Sequence, residues 1–333
     1  MSSSAPRVGA RILRPAGRLA VLVAVLTAAH ATGACRRSPP PAATVTLWLG
    51  GDVHLGDGDE ADRRLAALAP LTAGAVGVVN LEGAVADRAA RDGELVNLPA
   101  RLPGLRRAGV VAAGVANNHA ADLGPDAPAA TMAALLTARL IPIGGPAGAA
   151  LLDQHGVRVV ITAHDLPPGP DGAGAPPALD TAALAADLAA ARAAGDVLIA
   201  TFHVTAPPSY LPAREAVTAV ALARAAGAAV IVVHGSHALA RVERTADGVT
   251  AWGLGNLLFA CACTDEEDAL LLRVTLDRHG LVDAEVVPIA AGLRGAPARP
   301  AAEPALLYDL LASLRSTPLD PAGPRARLLA PAP

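Results

Sequence analysis

Two apolar stretches near the beginning of this 333-residue chain end in side chains that bind metals. Residues 44–49 lead through two glycines to Asp52 and His54, and residues 75–79 lead to Glu82. Residues two apart on an extended chain share a face, so Asp52 and His54 are expected to present their ligand atoms to the same side. Each ending alone is typical of an ordinary turn, so its chemistry depends on what lies beside it.

Three later apolar stretches, residues 110–115, 197–202 and 228–233, end in the same manner. In chain order they are followed by Asn118 with His119, by His203, and by His234 with His237. Short runs rich in β-branched residues and bounded by turn signals predict buried strands. Because parallel strands bring their carboxyl ends to one edge of a sheet, we expect all five endings to converge in one cleft.

The combined residue types predict a metal-dependent hydrolytic centre. Imidazoles, carboxylates and a side-chain amide, with no thiolate among them, suit divalent first-row metals. A pair of such ions lowers the pKa of a bound water and stabilises charge on a displaced phosphoryl or acyl group. Asp122 follows His119 by three residues and would orient its imidazole.

Ala-rich helices between these stretches are expected to position them. Helical patterns occupy residues 60–71, 102–108, 126–139, 180–194 and 212–226. Their alternation with strands predicts an α/β protein with a mostly parallel or mixed sheet. Hairpins are expected at residues 149–163, 241–252 and 269–289. Aromatic residues make up only 2% of the chain, so Ala, Val, Leu and Ile must build the core.

The amino-terminal segment, residues 1–35, has the layout of an export signal. Four arginines precede an apolar run over residues 19–32, and the run leads to Cys35. The run is short for a membrane span, so Cys35 is expected to be a lipoprotein acceptor; a plain secreted protein or an uncleaved signal anchor is the alternative. Residues 36–43 are a Pro-rich linker. We therefore expect an exported protein, membrane-anchored at the cell surface or periplasmic.

Charge and cysteine usage limit the partners further. The formal net charge is −3 and the chain has no long basic run, which argues against nucleic acid as a partner. Cys261 and Cys263 are the cysteines besides Cys35. We interpret this pair as two small core residues, with a labile disulfide as the alternative.

The ordered motifs GGDVH, NLEG, ANNHAADLG, HGSH and GLGN resemble the capsule-synthesis (poly-gamma-glutamate) CapA family, which is related to calcineurin-like metallophosphoesterases. The resemblance covers roughly residues 44–290. It implies an α/β fold, a metallophosphatase-like β-sandwich flanked by helices, over residues 44–295. A C-terminal helix and a loosely ordered Pro/Ala-rich tail are expected over residues 296–333.

The resemblance also implies roles for individual residues. Two divalent ions, Mn, Zn or Fe, would be held by two sets of side chains. The first set is Asp52, His54 and His237, the bridging residue is Glu82, and the second set is Asn118, His203 and His234. His119, steadied by Asp122, would be the proton donor to the leaving group. Asn256 would have a supporting role.

Two functions follow as expectations. The first is a cell-surface capsule-biosynthesis protein of CapA type, a metal-dependent phosphoesterase-like hydrolase or transferase acting on an envelope polymer. The second is a non-catalytic accessory lipoprotein that uses the same cleft to bind the polymer or a membrane synthase complex.

Overall fold

A computed structural model describes residues 9–13, 43–56, 60–167 and 179–331. Apart from the short strand at residues 9–13, the predicted export signal lies outside the described residues, as do Cys35 and nearly all of the predicted linker.

The strands are β1 (Gly9–Leu13), β2 (Val45–His54), β3 (Val76–Leu81), β4 (Ala84–Val85), β5 (Val96–Asn97), β6 (Val110–Gly114), β7 (Ile141–Ile143), β8 (Ala149–Gln154), β9 (Val157–Leu166), β10 (Val197–Val204), β11 (Ala228–His234), β12 (Val242–Arg244), β13 (Val249–Ala251), β14 (Asn256–Phe259), β15 (Asp268–Asp277), β16 (Gly280–Ala290), β17 (Gly292–Leu293), β18 (Arg299–Pro300), β19 (Leu319–Ala322) and β20 (Arg325–Leu328). The helices are α1 (Ala61–Arg64), α2 (Ala69–Thr72), α3 (Leu102–Arg107), α4 (Ala127–Thr137), α5 (Thr181–Ala193), α6 (Arg214–Ala225) and α7 (Pro304–Ser313). Short 3₁₀ turns lie at Ala66–Leu68, Pro99–Arg101 and Gly145–Ala147.

Two large sheets contain most of these strands. The first, called the β2 sheet here, has the order β19-β20-β16-β15-β2-β3-β6-β7, with β14 also paired to β2. The second, the β10 sheet, has the order β1-β8-β9-β10-β11-β13-β12. Strands β2, β3, β6 and β7 run parallel to one another, and so do β9, β10, β11 and β13. The predicted α/β class is therefore confirmed, but the predicted strand endings are divided between two sheets.

The core lies between these sheets. One buried cluster contains Leu49 and Val78 of the β2 sheet together with Ile161, Ile199 and Val232 of the β10 sheet. Because the chain has few aromatic residues, aliphatic side chains form this core, as expected. Their burial is the main favourable contribution to folding.

Helices cover the outer faces of both sheets. A second cluster packs Leu105 of α3 and Leu135 of α4 against the β2 sheet. A third packs Leu188 of α5 and Val220 of α6 against the β10 sheet, where Phe202 lies. The result is a mixed α/β sandwich of two sheets with helices outside. Among the described helices, none has the length and apolar character that a membrane span needs.

Most predicted elements lie where the sequence places them, with two exceptions. The helix expected over residues 60–71 is broken into α1, a 3₁₀ turn and α2, because Pro70 has no N–H to donate and prevents a continuous helix. The tail beyond residue 318 was expected to be loosely ordered, and that expectation is wrong. It forms the β19–β20 hairpin, in which Ala326 and Leu328 are fully buried and Ala326 pairs with Val286 of β16.

Candidate metal centre

Asp52 lies at the end of β2 and connects the two sheets. Its carboxylate is 1% exposed. Asn80 of β3 donates from Nδ2 to Oδ1 at 2.8 Å, and the backbone N–H of Gly235, which follows β11, donates to Oδ2 at 3.0 Å. Because one hydrogen bond comes from each sheet, the carboxylate is fixed in orientation at the edge where both sets of parallel strands end.

Two imidazoles flank this carboxylate. His234 Nδ1 lies 3.4 Å from Asp52 Oδ1, and His237 Nδ1 lies 3.4 Å from Oδ2. Burial alone would raise the pKa of Asp52, but the hydrogen bonds and charges of the two histidines outweigh it and hold that pKa well below its usual range. Asp52 is therefore a carboxylate at neutral pH, available as a ligand.

His237 occupies a constrained position after β11. Its backbone φ is +54°, a left-handed conformation uncommon for residues other than glycine. The side chain is fixed by Asn256 Oδ1, 2.9 Å from Nδ1, and by the ring of Phe259, whose centroid is 4.7 Å away. Burial lowers the pKa of His237, but Asp52 and Glu82 reverse that effect and raise it to about 9.

The loop that carries Glu82 is held on both sides by buried amides. Asn97 Nδ2 donates to the Glu82 carbonyl at 2.8 Å, and its Oδ1 accepts from Leu55 N at 2.7 Å. Asn117 donates to the Leu81 carbonyl at 2.9 Å and accepts from Gly83 N at 3.2 Å. The backbone on either side of Glu82 is thus fixed, and its buried carboxylate faces the cleft.

His203 lies across the cleft from Glu82. Its Nε2 is 3.7 Å from Glu82 Oε2, and its Nδ1 is 3.6 Å from Asp165 Oδ1. Burial lowers the pKa of His203, yet the neighbouring carboxylates of Asp165, Glu82 and Asp52 dominate and raise it to about 10. In the metal-free protein this imidazole is therefore protonated at neutral pH.

The polar atoms of this cleft fit a metal ion. Ligand atoms of Asp52, Glu82 and His203 all lie within 4.8 Å of one another, and all three residues are buried. These three residues are called the donor group here. Glu82 Oε2, both ring nitrogens of His203 and Nδ1 of His234 have no hydrogen-bond partner among the described residues. Buried polar atoms are normally paired, so a cluster of unpaired donors and acceptors in one cleft indicates a binding site. Two carboxylates and an imidazole suit a divalent first-row ion.

The structure does not bring His54 into this group, in contrast to the prediction from the D-x-H spacing. His54 Nδ1 accepts from Cys261 N at 3.2 Å, and Nε2 lies 3.2 Å from the Val96 carbonyl. Backbone groups from two other segments thus engage both ring nitrogens. Spacing along one strand fixes the face of a side chain, but it does not reveal these competing partners.

Asn118 is likewise not placed among the buried donors. Its side chain is exposed and makes no hydrogen bond to the described carboxylates, whereas the adjacent Asn117 is buried. The reason is that residues 118–123 form turns rather than a helix. His119 Nδ1 lies 2.9 Å from Asp122 Oδ2, as the sequence predicts, and the same oxygen accepts from Leu95 N at 2.8 Å. The proton-donor role of His119 stays a prediction.

Cys261 and Cys263 were interpreted as two small core residues, and this interpretation is wrong for Cys263, which is exposed, whereas Cys261 is half-buried and packs against the core cluster of the β2 sheet. They form a disulfide in a partly exposed loop after β14, as the alternative interpretation expected, and the lability of this disulfide stays a prediction.

Sequence reasoning also missed residues that hold the site together. Asn80, Asn97 and Asp165 were assigned no role, although each contacts a residue of the donor group or its backbone. Asp165 had a signal in the sequence, because it ends the apolar run 157–163 as the other polar residues end theirs. Asn97 had none, since the two-residue strand β5 is too short to be recognised by pattern.

The fold and the cleft together define a mixed α/β protein with a candidate metal centre at the carboxyl edge of two sheets. The chain matches the family described as bacterial capsule synthesis protein PGA_cap over residues 46–261, and it belongs to this family. The match spans β2 to the loop after β14 and includes every residue of the donor group. At the level of the family, the protein is therefore assigned to capsule biosynthesis.

Two crystal structures of proteins from Thermus thermophilus are similar to the chain. A hypothetical protein is 14% identical, with a TM-score of 0.49, and the match covers 74% of this chain and 100% of that chain. The protein TT1561 is 12% identical, with a TM-score of 0.42, and the match covers 70% and 100%. No curated protein matches the chain in sequence.

Proposed function

We propose that this protein is a metal-dependent hydrolase or transferase that acts on a phosphate or amide bond of a capsule polymer. The observation that carries the proposal is that ligand atoms of three buried residues, Asp52, Glu82 and His203, lie within 4.8 Å of one another. Among them, Glu82 Oε2 and the ring nitrogens of His203 have no hydrogen-bond partner in the described part of the chain. Membership of the capsule-synthesis family supports a capsule polymer as the substrate. Two helix-flanked sheets with the site at their shared edge support a metallophosphatase-like fold.

Two sets of side chains in the cleft would bind two divalent ions. Asp52 with His234 and His237 would supply one side, and Glu82 with His203 the other. When bound, such ions lower the pKa of a coordinated water and stabilise charge on the group being displaced. Asn80 and the Gly235 N–H orient Asp52, while Asn97 and Asn117 hold the backbone around Glu82, so these donors are preorganised.

Proton transfer to the leaving group would come from His119. Asp122 fixes the imidazole through Nδ1, which leaves Nε2 to face a substrate. Asp122 is itself held by the N–H of Leu95, so the pair is oriented before substrate arrives. General acids of this type contribute about 10²–10⁴-fold to rate.

The cleft would lie outside the cytoplasm. The amino-terminal arginines and apolar run followed by Cys35 support export and lipid anchoring. A poly-gamma-glutamate or related capsule polymer at the cell surface is the proposed substrate, with a membrane synthase complex as the proposed partner.

Hydrolysis of an aryl phosphate ester by the purified, metal-reconstituted full-length protein tests the catalytic proposal. We expect turnover that falls by at least about 10²-fold in Asp52→Ala and in His119→Ala. His155→Ala is the matched control, because His155 lies exposed in the β8–β9 turn and should leave turnover unchanged. A folded, metal-loaded protein that binds capsule polymer but turns over neither ester nor polymer would instead support the accessory role.

A further inference from the structure

The edge of the β10 sheet carries one more carboxylate than the proposed donor group uses. Asp165 of β9 pairs with His203 of β10, and His203 pairs in turn with His234 of β11. Residues in register on neighbouring strands point to the same face of a sheet. The three side chains therefore form a row along the edge where the candidate metal centre lies.

The imidazole of His203 is situated between two carboxylates. Nε2 is 3.7 Å from Glu82 Oε2 on the inner side of the cleft, and Nδ1 is 3.6 Å from Asp165 Oδ1 on the outer side. His203 is 2% exposed, whereas the Asp165 side chain is 39% exposed. Asp165 thus approaches the ring from the solvent side, and Nε2 faces the other donors.

Among the described residues, His203 is the one ion-pair or hydrogen-bond partner of the Asp165 side chain. The distance from Asp165 Oδ1 to His203 Nδ1 is longer than a normal N–H···O hydrogen bond by roughly 0.4 Å. Hydrogen bonds of this kind are often long in an unfilled site and tighten only when the site is filled.

We propose that Asp165 is a positioning residue for the metal centre. This inference rests on the proposed metal site. Asp165 accepts a hydrogen bond from Nδ1–H of His203 and so keeps the lone pair of Nε2 directed at the ion. Ligating histidines commonly donate their second ring N–H to a carboxylate, which fixes ring orientation and tautomer. Asp165 itself does not contact the ion.

Zinc affinity of the full-length protein, measured by competition with a chelator, tests this proposal. We expect Asp165→Ala to weaken zinc binding by about 10–100-fold. Asp165→Asn, which retains an acceptor oxygen without the charge, should fall between Asp165→Ala and the wild type. Asp153→Ala is the matched control, an exposed aspartate on neighbouring β8, and should bind zinc as the wild type does. Circular dichroism confirms that each variant is folded.

A ¹⁵N spectrum of the imidazoles in the zinc-loaded wild type supplies a second readout that needs no variant. We expect His203 to carry its proton on Nδ1, and a proton on Nε2 would overturn the proposal. Zinc affinity of Asp165→Ala equal to that of the wild type would also overturn it while leaving the metal site intact. A wild-type protein that binds no zinc, manganese or iron would instead refute the proposed site itself.

Discussion

Metal binding by this protein should become tighter as the pH rises, because the proposed ligands carry protons when the metal is absent. The pKa of His203 is raised to about 10 and that of His237 to about 9. Both imidazoles are therefore protonated at pH 7, and a metal must displace a proton from each histidine that binds it. At a pH below the raised pKa of an imidazole, the bound proton competes with the metal and weakens metal binding. This competition disappears as the pH rises to that pKa.

The steepness of the pH dependence of metal affinity shows how many protonated histidines bind the metal. Each displaced proton changes the apparent affinity by about tenfold per pH unit. Between pH 7 and pH 8.5 the affinity should rise about 30-fold if His203 alone binds, and about 700-fold if His237 binds as well, because pH 8.5 already approaches the pKa of His237. Competition with a chelator of known proton affinity, at constant ionic strength, measures this dependence.

Matched variants identify the protons involved. His237→Ala should reduce the dependence by about tenfold per pH unit if His237 is a ligand. His155→Ala, in an exposed turn, should leave it unchanged. An affinity for metal that is the same at pH 7 and pH 8.5 would refute the reasoning, since it would mean that neither protonated imidazole is a ligand.

Two further predictions concern the backbone that supports the site. A Cβ at Gly235 would collide with the Val204 carbonyl and come within 2.8 Å of the neighbouring imidazole, and φ there is +95°, so Gly235→Ala should weaken metal binding and lower the melting temperature. Gly109→Ala, at φ +91° with open space around it, is the control and should cost only about 1–2 kcal/mol of the free energy of unfolding; equal losses in both variants would show that the collision is unimportant. Asn97→Ala leaves a buried donor and acceptor unpaired and should cost about 1–3 kcal/mol in denaturant unfolding, against less than about 0.5 kcal/mol for exposed Asn118→Ala. Similar losses for the two asparagines would contradict the role given to Asn97.

Much of the fold could be predicted from the sequence because its signals are local. Apolar runs such as residues 197–202 and Ala-rich helices such as α5 are visible in any window of a dozen residues. The helix break at Pro70 was equally local and could have been predicted from that residue. The β19–β20 hairpin was harder, since Ala326 and Leu328 become strand residues only through burial against β16.

The site could be predicted only in part, because its geometry depends on contacts between distant segments. Asp52 and His203 were identified from strand endings, and both lie in the donor group. His54 shares the strand of Asp52, yet a backbone N–H from residue 261 engages its ring. No spacing rule within residues 50–54 contains that information. The choice between Asn117 and Asn118 depended in the same way on which amide the loop turns inward.

The most direct test of the central claim is the metal content of the purified full-length protein, measured by elemental analysis after dialysis against metal-free buffer. We expect about one to two equivalents of Mn, Zn or Fe per chain, with loss of metal in Glu82→Ala and normal content in His279→Ala, whose imidazole is exposed in the β15–β16 turn. A folded wild-type protein that holds no metal and takes up none when it is offered would contradict the claim that these donors form a metal centre.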